Sequence, residues 1–63
     1  MEIKDRNVIE MNNGDLLLYV EDMDLYVGLN NDSYITDSYL VESNVAKVYA
    51  DYTLKTIIYS QQM

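Results

Sequence analysis

Three carboxylates stand within four positions at Glu21, Asp22 and Asp24, inside the stretch YVEDMDLYV, with no Lys or Arg beside them. Such a row has three chemical uses. Two carboxylates can share acid and base roles if burial raises the pKa of one. A set of oxygens can hold calcium. Fixed negative charge can engage a cationic surface. Proton exchange needs a pocket, but these acids fall in turn-forming stretches where water keeps them ionised, and 63 residues leave little room for a deep one. The chain also has no His and no Cys, so the usual triads and thiol nucleophiles cannot be built. A non-enzymatic protein is expected.

Calcium fails on spacing. An EF-hand loop alternates oxygen ligands, bends at a glycine in position six and ends on a bidentate Glu at twelve. Counting from Asp22, Asp24 fits position three, but Tyr26, Val27 and Ser33 occupy five, six and twelve. A weak, non-specific cation site at Glu21, Asp22 and Asp24 is the most that remains, so no metal is assigned. Gly14 and Gly28 stand alone, outside any phosphate-cradling loop, and no cofactor is assigned either.

Charge gives the third use its weight. Eleven acids face four bases, a net charge of −7, and the stretch from Asn7 to Ala46 holds eight acids and no base. Direct nucleic-acid binding draws on Lys and Arg to displace counterions, so this chain is a poor candidate for it, and anionic membrane surfaces are disfavoured by the same sign. A basic protein surface is the natural complement. Within an extended segment, Asp22 and Asp24 would stand about 6.5–7 Å apart on one face, close to the stride between phosphates, so mimicry of a nucleic acid is geometrically open. The plainer alternative is that the acids keep a Tyr-rich chain dispersed.

The elements that must position these residues are short strands. Residues 1–63 read as a single domain, small enough to bury only about 60% of its unfolded surface, and with no disulfide or zinc to staple it a homodimer is expected. Asn12-Asn13-Gly14-Asp15 signals a hairpin turn whose Asn-Gly tolerates positive φ. It joins a strand over about Asn7 to Met11 to one over Asp15 to Glu21, whose run Leu16-Leu17-Leu18-Tyr19-Val20 suits a strand covered on both faces. Asp22-Met23-Asp24 and Asn30-Asn31-Asp32-Ser33 read as further turns before strands at Leu25 to Leu29 and Tyr34 to Thr36. Val45, Val48, Tyr49 and Tyr52 then recur at helical spacing, which predicts one short helix near residues 43–52, capped by Ser43 or Asn44. Thr53 to Ser60 returns to strand composition, and Gln61 to Met63 should fray. The expected fold is mainly β (α+β): a small five-stranded antiparallel SH3-like barrel, or a curled meander, with that one helix.

The segments VIEMNNGDLLLYV and TLKTIIYS resemble the opening and closing strands of small phage and mobile-element proteins of Gram-positive bacteria. That resemblance implies a phage-type origin and a barrel-like fold. Size and acidity make the chain similar in style to anti-CRISPR and related counter-defence proteins, which implies an inhibitor, an acidic DNA mimic, seated on the basic nucleic-acid groove of a host nuclease in the host cytoplasm. The N-terminus, with charges where a signal peptide needs an apolar run, fits the cytoplasmic expectation. Partner binding is assigned to Glu21, Asp22, Asp24, Asp32, Asp37 and Glu42, with Tyr34 and Tyr39, which flank Asp37 in a polar stretch, as interface aromatics. Tyr19, Tyr26, Tyr49, Tyr52 and Tyr59 lie in apolar runs and are expected in or beside the core. The alternative is a structural or adaptor module that docks or dimerises through apolar and Tyr surface.

Overall fold

In the computed structural model, which describes residues 2–60, four hairpin connections and one crossover make one antiparallel sheet. The strands are β1 (Val8–Met11), β2 (Leu16–Val20), β3 (Leu25–Gly28), β4 (Tyr34–Ile35), β5 (Val45–Tyr49) and β6 (Ile57–Ser60). Their spatial order is β4-β3-β2-β1-β5-β6. A five-residue helix, α1 (Ser38–Glu42), carries the chain from edge strand β4 across the core to β5. The protein is therefore mainly β, with an open sheet: β4 and β6 end it without pairing to each other.

The β1–β2 turn forms as its Asn-Gly sequence demands, but with positive φ only at Gly14 (96°). Met11 N–H donates to the Asp15 carbonyl and Gly14 N–H to the Met11 carbonyl, closing a three-residue loop. The Asn13 side-chain oxygen accepts from Asp15 N–H at 2.9 Å, which holds the turn from outside.

The core lies on the face of the sheet that α1 covers. Ile9 and Met11 of β1, Leu17 of β2, Tyr26 of β3, Val45 and Val48 of β5 and Val41 of α1 form a continuous buried cluster, with Ile35 of β4 packed against it. Register explains the selection, since Ile9 stands opposite both Leu17 and Val48, and residues opposite each other share a face. Asn7 is the one buried polar residue among those described. Its side-chain oxygen accepts from Lys4 N–H at 2.8 Å and its amide donates to the Ala50 carbonyl at 3.1 Å, tying the N-terminal segment to the end of β5. Nothing in the local sequence announces that role.

Three expectations need correction. The helix is not at residues 43–52: it sits at Ser38–Glu42, and Val45–Tyr49 is a strand. A bulge accounts for the misleading spacing. Glu10 pairs with Lys47 but Met11 pairs with Val45, so Ala46 is an extra residue and Val45 and Val48, three apart, both face the core. The cap is Asp37, whose carboxylate accepts from Leu40 N–H at 3.1 Å, while Ser43 closes the far end. With six strands rather than five, β5 supplies the additional one.

The second correction concerns the tyrosines. Tyr26 and Tyr49 are buried and Tyr19 is half-buried, but Tyr52 is 75% exposed and Tyr59 is 38% exposed. Tyr52 lies in the β5–β6 turn away from the core, whereas Tyr59, on the edge strand opposite the buried Val48, lies beside it. The third concerns β2. Only its Leu17–Tyr19 face meets the core cluster; on the other face Leu16, Leu18 and Val20 are half-buried, although Val8, opposite Leu18, is fully buried. The expected fraying at Gln61 to Met63 lies outside the described residues.

Candidate functional site

The β2–β3 connection collects the first three acids. After Val20 the chain makes a 3-10 turn, Glu21–Met23, and leaves it through Asp24 in the left-handed region (φ 51°), with Asp24 N–H donating to the Glu21 carbonyl. Asp tolerates that conformation better than most residues. Because Asp22 and Asp24 sit in a tight turn, the extended spacing that would match a phosphate stride is not formed, and the ladder-like mimicry inferred from it is corrected.

Topology brings other acids to the same end of the sheet. Ile35 pairs with Tyr26, one residue into β3, so Asp37 emerges beside the β2–β3 turn. The Asp5 carboxylate accepts from Glu21 N–H at 2.9 Å and adds a carboxylate that sequence reasoning did not assign. Its signal was absent locally, since Asp5 and Glu21 meet only through the sheet. Glu42 approaches from α1. Two tyrosine hydroxyls record this crowding. Tyr19 and Tyr26 pack with ring centroids 4.8 Å apart, and the Tyr19 hydroxyl donates to Asp24 at 3.3 Å. Burial, then the Asp24 carboxylate and its hydrogen bond, and then the charge of Glu21, push the Tyr19 pKa up. Burial raises that of Tyr26 too, helped by the charges of Glu42 and Asp24 and opposed by a hydrogen bond with Ser38.

Of the eight assigned residues, Glu21, Asp22, Asp24 and Asp37 are thus brought to one end; Glu42 closes α1 on the way to the β1–β2-turn end and reaches this group through its charge on Tyr26, and Tyr39 on α1 is 81% exposed. Asp32 and Tyr34 are not in this group. Asp32 belongs to the β3–β4 turn at the opposite end, and Tyr34, opposite Val27, projects from the outer face of the sheet. One carboxylate oxygen of Asp37 is already engaged in capping α1.

Counterions are scarce here. Among the described residues the one ion pair joins Arg6 to Asp5 at 3.6 Å, both exposed, which leaves Glu21, Asp22, Asp24, Asp37 and Glu42 without a bonded cation. No group of three or more metal-ligating side chains with suitable geometry occurs among the described residues. A hollow of about 280 Å³ opens between the β1–β2 turn and α1, floored by Met11, Leu17, Ile35 and Leu40. Asp15 is the one acid on its wall, where it accepts a hydrogen bond from Asn13, so no carboxylate pair faces this cavity. Among the described residues no helix is long and apolar enough to cross a membrane. No family model, curated protein or solved structure matches the chain.

Proposed function

We propose that the protein binds a cationic surface of a partner protein through its acidic end, without catalysis, and that the partner is a nucleic-acid-binding protein whose groove is lined with Lys and Arg. The observation that carries this reading is the convergence of Glu21, Asp22, Asp24 and Asp37 with so little local counter-charge. Carboxylates held that way repel one another and gain most from an external cation. On this reading the partner is a host defence nuclease, the protein is a phage-type, anti-CRISPR-like inhibitor acting in the host cytoplasm, and the curled sheet with α1 across its core is an SH3-like barrel. Tyr39, exposed beside Asp37 and Glu42, supplies an aromatic contact within the acidic group.

Binding to a purified nuclease with a basic channel, measured across a salt series, tests this. Affinity should fall as ionic strength rises, and joint reversal of Asp22→Lys and Asp24→Lys should weaken it about tenfold. Binding that ignores both salt and the reversals would defeat the reading.

A structural or adaptor module, homodimeric in its simplest form, is the second reading. The observation favouring it is β6, an open edge strand with Ile57 and Ile58 about half exposed and Tyr59 partly so. Against edge-to-edge pairing, a bulge falls at Ile58, because Tyr59 pairs with Val48 while Ile57 pairs with Tyr49. Bulges on edges deter added strands.

A further inference from the structure

Between the acidic end and the β3–β4 turn runs a face with almost no charge. Leu18 stands opposite Val27 and Val20 opposite Leu25 on the outer side of the sheet, and Tyr34 stands opposite Val27 on the next strand. All four aliphatic residues are half-buried, and Tyr34 and Met23 are 66% and 68% exposed. Met23, Leu25, Val27 and Tyr34 line a shallow hollow of about 450 Å³, with Asp32 and Ser33 on its rim. β2 has the composition of a strand covered on both sides; its own chain covers one face fully, and on the other buries Val8, opposite Leu18, while leaving the strip over β3 and β4 partly open.

The charges at the two ends of this strip decide what covers it. Asp22 and Asp24 flank Met23 at one end, and Asp32 closes the other. A second copy would bring the same acidic rims against these, between molecules that each carry −7, whereas a partner with cations at both ends of an apolar row is attracted at both. We propose that this outer face is the docking surface for a basic amphipathic segment of a partner protein: apolar side chains fill the hollow, and Lys or Arg at either end meets Asp22 and Asp24 or Asp32. The inference rests on the cationic-partner reading above and adds the apolar contact to it. It also gives Asp32 and Tyr34, which lie away from the acidic end, a place in the same interface. The length of β3 sets the cations about 13 Å apart, or about nine residues along a helical segment.

Synthetic peptides can separate the two contributions. A helical peptide of Leu and Lys in amphipathic order is compared with one in which Ser replaces every Leu, at equal charge, by isothermal titration. The Leu/Lys peptide should bind about tenfold tighter, as expected when two or three apolar side chains are partly buried. Met23→Ser with Tyr34→Ser should abolish that difference, while Tyr52→Ser, at a residue 75% exposed but off the strip, should preserve it. Equal affinity for both peptides would overturn the docking face and leave capture by charge standing. Binding of neither peptide would end both. A difference that survives Met23→Ser with Tyr34→Ser would place the apolar contact elsewhere, and a free protein that sediments as a dimer dissociated by that pair would assign the face to a second copy; either result overturns the proposal.

Discussion

The Tyr26 hydroxyl sits where a buried ring meets a crowd of carboxylates, and its protonation is coupled to folding. Tyr19, Tyr26 and Tyr49 all have pKa values raised above the ordinary value of 10. For Tyr49 the first cause is the hydrogen bond its hydroxyl donates to Glu10 at 2.9 Å, which is lost on ionisation; burial adds to it. A tyrosine whose folded pKa exceeds its unfolded value holds its proton more tightly in the native state. Its stabilising contribution is therefore complete below about pH 10 and is lost as pH climbs through the folded pKa. The protein should lose stability progressively above about pH 10, and Tyr26→Phe should move alkaline unfolding to higher pH in urea melts followed by circular dichroism. Stability that runs level from about pH 9 past pH 11 would show that these hydroxyls are not coupled to folding. Asp51 behaves in the opposite sense: the Thr53 hydroxyl and N–H, followed by Lys55, lower its pKa. That turn is favoured above the ordinary carboxylate range and loosens as pH falls through the lowered value.

Among the elements, the β3–β4 turn depends most sharply on one residue. A Cβ at Gly28 would lie 2.5 Å from the Asn31 side-chain oxygen and 3.2 Å from the Ser33 hydroxyl. That oxygen is not free to retreat, because it accepts from both the N–H and the hydroxyl of Ser33. Gly28→Ala should therefore break the Asx turn and lower the melting temperature by about 5 °C, a cost near 1 kcal/mol for a domain this size. An unchanged melting temperature would mean the loop yields without resistance. Turn chemistry of this kind was legible in the sequence, and so were β1 to β4, because Asn, Asp and Gly punctuate apolar runs at each connection. The β5 assignment was not legible. A single extra residue at Ala46 gave a strand the spacing of a helix, and only its partner β1 reveals the bulge. The site was legible in part for the same reason. Glu21, Asp22 and Asp24 are neighbours in sequence, but Asp5 joins them, and Asp32 leaves them, through pairings made far along the chain.

At the scale of the whole molecule, charge and burial work against each other. Ten acids and two bases lie before Ser43, and one acid and two bases from there on, so the repulsion is concentrated on the half that holds β1 to β4. Added potassium chloride screens it, and the melting temperature should rise by about 3–5 °C between low and physiological ionic strength. Partner binding should weaken over the same range, and a melting temperature that fell instead would mean that attraction, not repulsion, dominates the native charge pattern. The placement of β1 has one more consequence. It lies between a neighbour joined by a three-residue loop and β5, which arrives only after α1. A fragment ending at Glu42 would keep the meander of β1 to β4 but leave one flank of β1 bare and Val48 absent, so Ile9 would stay wet. Such a fragment should aggregate unless a peptide spanning β5 and β6 is supplied in trans.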